Sequence, residues 1–243
     1  IFTIMRRHFV HFLWGSLLAI LGLVFVFFIS VWNGWVGYMP DMDELSNPID
    51  KFASQVYSSD QQLIGTWNAD NNNRVAIDYN GLSPHLVHAL VATEDERFYE
   101  HSGVDFIALG RAVVKRGVMG QASAGGGSTI TQQLAKQLFS EKAHSTVERL
   151  LQKPIEWIIA VKLERYFTKE EILAMYFNYF DFLHNAVGIK RAANVYFNKE
   201  PRKLTVTESA MLVGLCKNPS MFNPLRHPER CLQRRNVVLM QMV

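Results

Sequence analysis

Groups that can transfer a proton are concentrated between Glu94 and Gly103, in the sequence E-D-E-R-F-Y-E-H-S-G. Upstream, Ser83-Pro84 is typical of a helix start, and apolar residues then recur at helical spacing. Glu94 is therefore expected near the carboxyl end of a helix. There the helix dipole disfavours a negative charge, so a carboxyl group is suited to exchanging a proton. An acidic helix end that is merely solvated explains this segment equally well.

A second segment, from Gly125 to Lys136, has the sequence G-G-G-S-T-I-T-Q-Q-L-A-K and predicts a glycine loop that opens a helix. Free backbone N–H groups at a helix start favour an anion, commonly phosphate. The segment is not a P-loop, because Lys136 does not directly follow the last glycine. A flexible linker capped by Ser128, followed by an ordinary amphipathic helix, is the alternative interpretation.

Together the two segments resemble the peptidoglycan glycosyltransferases, the lysozyme-like polymerase domain of class A penicillin-binding proteins and of monofunctional transglycosylases. Five motifs occur in the family's order between residues 52 and 243. They are carried by Glu94, Asp95, Phe98, His101 and Gly103; by Gly126 to Gln133; by Lys153-Pro154-Ile155-Glu156, Ala160, Leu163 and Glu164; by Tyr176-Phe177-Asn178, Gly188, Ala192, Ala193, Tyr196 and Phe197; and by Glu208, Ala210, Leu212, Gly214, Asn218-Pro219-Ser220 and Asn223-Pro224.

The resemblance implies polymerisation of lipid II into β-1,4-linked glycan strands, with inversion and release of undecaprenyl pyrophosphate. Glu94 and Glu156 are the catalytic residues that it implies, with Glu94 as the general base that removes the proton of the acceptor's 4-hydroxyl. The candidate substrate-binding residues are Asp95, Phe98, His101, Gly127, Ser128, Thr129, Gln132, Gln133, Lys136, Arg149, Lys153 and Asn178. Among them, Lys136, Lys153 and Arg149 would neutralise the leaving pyrophosphate.

Two departures from the family's pattern stand out. Gln152 occupies the position before Lys153 where the family usually has Arg, and Arg149, one helical turn earlier, is expected to supply that charge instead. Leu183 occupies a position where the family usually has Gly, which leaves the backbone shape of that loop open.

The implied reaction requires no cofactor, and the His and Cys spacing matches no common metal motif. Asp95 is a candidate ligand for a divalent cation, Mg²⁺ or Mn²⁺, or a support for Glu94. The expected partners are lipid II, the nascent glycan strand, membrane lipids and cell-wall synthesis proteins. No nucleic acid is expected, since a net charge of +3 indicates only a mild affinity for anionic surfaces.

The amino-terminal part predicts a membrane anchor. Phe9 to Trp32 has no Asp, Glu, Lys or Arg, and a span needs about 20 apolar residues. Arg6 and Arg7 precede it and acidic residues follow, so the positive-inside rule predicts a single-pass protein of the bacterial cytoplasmic (inner) membrane, with its catalytic domain outside the cytoplasm. A cleaved signal peptide is less consistent with the length of the span.

The predicted fold class is mainly α: a lysozyme-like glycosyltransferase domain preceded by a single transmembrane helix and a small β-hairpin. The predicted organisation is a cytoplasmic tail at 1–8, a transmembrane helix at 9–36, a linker at 37–51 and the glycosyltransferase domain at 52–243. The hairpin is predicted from Ser54 to Trp67, and helices from Pro84 to Arg97, Asp105 to Gly117, Thr129 to Phe139, Val147 to Tyr166, Lys169 to Asn178, Gly188 to Tyr196, Val206 to Cys216 and Pro228 onward. Pro154 should break or kink the fourth of these helices and so place Glu156 near a first turn.

Residues 104 to 119 combine apolar side chains with Arg111, Lys115 and Arg116. This pattern is typical of a helix at a lipid headgroup boundary, although a helix packed on the domain core fits it equally well. The small residues from Gly117 to Gly127 predict a mobile flap over the site.

Two other functions stay open. A lytic enzyme of the same fold would cleave glycan with a single acid and would not need the basic cluster, and a non-catalytic membrane scaffold would not need Glu94 or Glu156. The ending Arg234-Arg235-Asn236-Val237-Val238-Leu239-Met240 resembles the junction of bifunctional proteins, so the chain is expected to stop before a transpeptidase domain. The motifs of β-lactam acylation do not occur in it.

Overall fold

The structure of the chain is a computed structural model. It describes residues 2–41, 45, 54–60, 63–67, 75–117, 127–140 and 145–243. Most of the predicted linker after residue 41, and residues 118–126 of the predicted flap, lie outside the described residues.

The amino-terminal helix α1 runs from Phe2 to Trp32, and its His8–Trp32 part is long and apolar enough to cross a membrane. Its carboxyl end packs against α5 (Thr146–Tyr166): the rings of Phe28 and Trp157 stack with centroids 6.4 Å apart. Lys162 of α5 places its Nζ 5.1 Å from the ring centroid of Trp32. The apolar helix is therefore joined directly to the helix that carries Glu156.

The remaining described elements are mainly helical, which confirms the mainly α part of the predicted fold class. Strands β1 (Ser54–Tyr57) and β2 (Leu63–Trp67) pair in antiparallel fashion, with Val56 opposite Gly65. The other helices are α2 (Pro84–Glu94), α3 (Phe106–Gly117), α4 (Ile130–Phe139), α6 (Lys169–Tyr179), α7 (Ile189–Phe197), α8 (Val206–Lys217) and α9 (Pro228–Gln241).

Three helices begin with capping boxes, in which a Thr hydroxyl and a side chain three residues later each bind the other residue's backbone N–H. The pairs are Thr129 with Gln132, Thr168 with Glu171, and Thr205 with Glu208. These local bonds fix where α4, α6 and α8 start.

The core forms where α8 packs against α2 and α9, and where α4 packs against α5 and α6. Its fully buried side chains include Leu86, Leu90, Ile130, Leu134, Tyr176, Phe177, Leu212 and Val213. Burying one such side chain stabilises the fold by about 1.5–3 kcal/mol. This packing brings the carboxyl end of α2 next to α4 and α9.

Two predicted helix features are wrong. Helix α2 ends at Glu94 rather than Arg97, because Asp95 leaves helical geometry (φ −160°) to direct its side chain at α4. Helix α5 continues through Pro154 without a break, so Glu156 lies at the midpoint of α5 and not near a first turn.

The loop after α6 carries three consecutive non-glycine residues in the left-handed region, with φ of 66° at Leu183, 53° at His184 and 63° at Asn185. The Leu183 N–H donates to Asp181 Oδ1, and the Leu183 carbonyl accepts from the Ala186 N–H. The turn is thus closed by hydrogen bonds although Leu183 replaces the glycine that this conformation favours.

We therefore expect Leu183→Gly to be more stable than Leu183→Ala. Both variants lose the packing of the leucine side chain, and only Ala keeps a Cβ, which costs about 1 kcal/mol in the left-handed region. Urea unfolding of the two variants measures this difference. At Val195 of α7, the same pair should show the opposite order, since Gly is worse than Ala inside a helix by about 1 kcal/mol. An Ala variant at 183 as stable as the Gly variant would contradict the assigned strain.

Candidate active site

Glu94 is the last residue of α2, and its carboxylate is bound by two other helices. Gln133 Nε2 of α4 donates to Oε2 at 3.1 Å, and Arg234 Nη2 of α9 donates to Oε1 at 3.3 Å. The Glu94 side chain is 16% exposed and that of Arg234 is 10% exposed. Each carboxylate oxygen retains a further lone pair, so Glu94 can still accept a proton from a bound molecule.

Glu94 lines a cleft of about 320 Å³ together with Gln133, Gly127 and Ser128. Three cationic side chains, Arg97, Arg111 and Lys115, also line this cleft. Asp95, Glu96 and Asp105 line it as well, so the cleft carries charges of both signs beside a fixed carboxylate, which suits a hydroxyl-rich ligand.

Helix α3 forms one wall of the cleft and exposes apolar side chains. Phe106 is 72% exposed, and Ile107, Val113 and Val114 are each more than half exposed. This favours the headgroup-boundary interpretation of α3 over burial in the core. A Cβ on Gly127 would lie 3.2 Å from the Ala112 Cβ, so the loop that precedes α4 approaches α3 closely because residue 127 has no side chain.

Asp95 is buried behind the cleft and joins three segments. Its carboxylate oxygens lie 3.1 and 3.0 Å from His101 Nε2, and Oδ2 accepts from the Ile130 N–H at the start of α4. The Asp95 carboxylate is thus held by protein donors on both of its oxygens. In the part of the chain that the structure describes, no cluster of three or more His, Cys, Asp or Glu side chains is arranged to hold a metal ion.

Several other predicted substrate-binding residues hold loops in place. Phe98 is fully buried, and Thr129 Oγ1 donates to the Gly103 carbonyl at 2.6 Å. Gln132 is buried in the capping box of α4. Asn178 binds both the N–H and the carbonyl of Ile77. Their side chains thus position the walls of the site.

Glu156 forms a second cluster, on α5. It is 1% exposed; its Oε1 accepts from Arg149 Nη1 at 2.9 Å and its Oε2 from Lys153 Nζ at 2.7 Å. Arg149 also donates to Gln152 Oε1 at 3.1 Å. The Arg149 guanidinium therefore reaches Glu156 from one turn before Gln152. This is the position it needs if it supplies the charge of the arginine that the family usually has at position 152.

Lys136 of α4 adds a third cation to this cluster. Burial lowers the pKa of Lys136, and the neighbouring Arg149 and Lys153 lower it further, while Glu156 raises it. Three cations around one carboxylate leave a net charge of +2 when all are ionised. Such a cluster gains most from binding a polyanion, for example a pyrophosphate.

The two clusters meet on α4. Gln133 contacts Glu94, and Lys136, three residues later, lies close enough to Arg149, Lys153 and Glu156 for their charges to shift its pKa. Residues three apart lie on one face of a helix, about one turn from each other. Of the predicted residues, Glu94, Asp95, Gly127, Ser128, Thr129 and Gln133 line the cleft. Lys136, Arg149, Lys153 and Glu156 form the cationic cluster.

Two residues of the site, Arg234 and Tyr176, occur in motifs of the sequence but were not predicted to act at the site. Arg234 reaches Glu94 from 140 positions away, past Gly214 of α8, where an added Cβ would lie 3.2 Å from the Arg234 Cγ. Tyr176, fully buried on α6, donates its hydroxyl to Gln133 Oε1 at 3.0 Å. The sequence shows Arg234 in an amphipathic helix and Tyr176 inside an apolar run. It does not show their hydrogen-bond partners, because these are set by tertiary packing.

Comparison with known proteins supports the resemblance found in the motifs. The model of the Transglycosylase family matches residues 60–243. The chain is 39% identical over 230 residues to penicillin-binding protein 1A of Aquifex aeolicus, covering 94% of this chain and 30% of that protein. It is 40% identical over 205 residues to penicillin-binding protein 1A of Escherichia coli, covering 84% of this chain and 23% of that protein.

Penicillin-binding protein 1F of Bacillus subtilis is 42% identical over 170 residues, covering 70% of this chain and 23% of that protein. The chain therefore spans less than a third of the length of these relatives.

The contacts of Asp95 lead to a stability prediction. Asp95→Asn should lower the free energy of unfolding by about 2 kcal/mol, because the buried bonds to His101 and to the start of α4 lose their charge. Urea unfolding monitored by circular dichroism measures it, with the exposed neighbour Glu96→Gln as the matched control. If both variants unfold at the wild-type urea concentration, Asp95 does not hold these segments.

Proposed function

The chain belongs to the transglycosylase family, and from this premise we propose that it is a membrane-anchored peptidoglycan glycosyltransferase. It polymerises lipid II into β-1,4-linked glycan strands, with inversion and release of undecaprenyl pyrophosphate. We infer for the domain the lysozyme-like arrangement that the family resemblance implies.

One observation carries this proposal: α4 places Gln133, which binds Glu94, one turn from Lys136, which lies near the cationic cluster of Arg149, Lys153 and Glu156. A polymerising enzyme needs a base for the acceptor beside positive charge for the leaving group, and α4 lies between the helix of the base and the helix of the cations. A lytic enzyme would not need the second cluster.

Glu94 is the proposed general base. It removes the proton of the acceptor's 4-hydroxyl, and the oxygen attacks the anomeric carbon of the donor sugar on the face opposite the pyrophosphate. The bond between the anomeric carbon and the pyrophosphate oxygen breaks, and its electron pair leaves with the pyrophosphate. One displacement of this kind inverts the α-linked donor to a β linkage.

The cationic cluster stabilises the negative charge that develops on the leaving pyrophosphate. Glu156 has both oxygens bound by cations, so we assign it to orienting Arg149 and Lys153 rather than to proton transfer. Its charge also reduces the mutual repulsion of three neighbouring cations. Glu156→Gln should therefore impair turnover strongly although Glu156 moves no proton.

No protein-bound cofactor is needed for this displacement. Since the Asp95 oxygens are engaged by His101 and Ile130, Asp95 is not assigned a divalent cation. A Mg²⁺ or Mn²⁺ ion that takes part would arrive with the pyrophosphate of the substrate, which is itself a cation ligand.

We place the enzyme in the bacterial cytoplasmic membrane, with α1 as its single span and the domain on the extracytoplasmic side. The contact of α1 with α5 and the exposed apolar residues of α3 support a domain that rests on the bilayer surface. A substrate with a lipid tail could then reach the cleft without leaving the membrane. The nascent glycan strand and other cell-wall synthesis proteins are the further proposed partners.

Glu94→Gln tests the base. The variant should lose at least about 100-fold in polymerisation rate while it still binds lipid II, because only proton transfer is removed. The assay is polymerisation of labelled lipid II by the purified chain, analysed by gel, with binding measured separately. The exposed acid Glu229 of α9 supplies the control variant Glu229→Gln.

A Glu94→Gln variant within about tenfold of wild type, a barrier difference of only ~1.4 kcal/mol, would remove the general-base assignment. Cleavage of preformed glycan by the wild-type chain, without polymerisation of lipid II, would favour the lytic alternative instead.

Substitutions of Arg149 and Gln152 test whether the cationic cluster binds the leaving pyrophosphate. Arg149→Ala should weaken inorganic pyrophosphate binding by about tenfold and slow turnover, since it removes a charged donor next to Glu156. Gln152→Ala should have a mild effect. Calorimetric titration with pyrophosphate measures the affinities, and Arg149→Lys shows how much of the loss is charge alone. Normal affinity and turnover in Arg149→Ala would refute the role of Arg149.

A further inference from the structure

The amide of Gln133 must face a particular way for Glu94 to be held. An amide has a donating NH₂ end and an accepting oxygen end, and an ionised carboxylate only accepts. Gln133 therefore has to present Nε2 to Glu94, which leaves its Oε1 in need of a donor. The Tyr176 hydroxyl is that donor, 3.0 Å from Oε1.

Tyr176 is itself held in one position. It is fully buried, its ring meets Phe177 edge-on with centroids 5.7 Å apart, and it stacks on Phe180 at 6.0 Å. Burial raises the pKa of Tyr176 well above its usual value, and nearby Cys216 and Glu94 raise it further. The hydroxyl thus stays protonated, and it can always donate.

We propose that Tyr176 is a positioning residue for the transfer reaction: its hydroxyl fixes the amide orientation of Gln133, and Gln133 in turn holds Glu94 Oε2. The inference rests on the proposed role of Glu94 as the base. Without the hydroxyl, the amide oxygen has lost its buried donor, and the amide is free to move away from the carboxylate. Glu94 would keep Arg234, at 3.3 Å, but would lose its second fixed bond.

Tyr176→Phe tests this proposal, because it deletes the hydroxyl and keeps the packed ring. The kcat for lipid II polymerisation should fall by about tenfold, the effect of one lost hydrogen bond, with KM unchanged within about twofold. Tyr196→Phe is the matched control: it removes a hydroxyl that donates to the Phe182 carbonyl at 2.7 Å, away from Glu94. It should change the melting temperature but not kcat.

A second variant, Gln133→Met, removes both amide ends at similar side-chain length, so it tests the proposal even if Tyr176→Phe does not fold. It should lower kcat at least as much, and Tyr176→Phe added to it should cost no more than twofold. Wild-type kcat in either single variant, or full additivity of the pair, would overturn the proposal.

The Glu94 and Tyr176 variants test the base and the positioning residue separately. If Glu94→Gln remains active, the base assignment fails. If Glu94→Gln is inactive while Tyr176→Phe has wild-type kcat, Glu94 keeps its role and Tyr176 has none.

Discussion

The bond from Asp95 to the backbone N–H of Ile130 is the constraint on which the site depends. It fixes the start of α4 against the end of α2, and α4 then carries Gln133 to Glu94 and Lys136 to the Glu156 cluster. Because α2 must end for Asp95 to turn towards α4, Glu94 becomes a terminal residue with its side chain at the cleft. The two adjacent carboxylates thus differ in placement: Asp95 joins α2 to α4, and Glu94 lines the cleft.

The sequence predicted what local forces determine. Apolar spacing located the helices closely, and the motifs pointed to Glu94, Gln133 and the residues of the Glu156 cluster. It failed where distant contacts decide: Asp95 ends α2 early through a bond 35 positions away, and packing carries α5 through Pro154. The sequence could not assign a role in the site to Arg234 or Tyr176, because their partners Glu94 and Gln133 lie on helices distant in sequence.

The surroundings of Glu94 and Glu156 suit different tasks. Glu94 has one cationic and one neutral donor and opens to the cleft, so an incoming hydroxyl can still reach it. Glu156 is buried between two cations, and breaking one of those pairs would leave a buried charge at considerable cost. A carboxylate in that position serves best as a fixed counter-charge. This contrast, rather than their shared chemistry, supports assigning proton transfer to Glu94.

The contact of α1 with α5, through Phe28 and Trp157, also ties the domain to its surroundings. A helix tilts when the hydrocarbon layer is thinner than its apolar stretch is long, and the apolar stretch His8–Trp32 of α1 has 25 residues, about 38 Å at 1.5 Å per residue. Since α1 is packed on α5 and not merely tethered to it, such a tilt would be transmitted to the helix that holds the leaving-group cations. With α1 in a membrane, as proposed, the length of the lipid chains would affect the position of the cations that bind the leaving group.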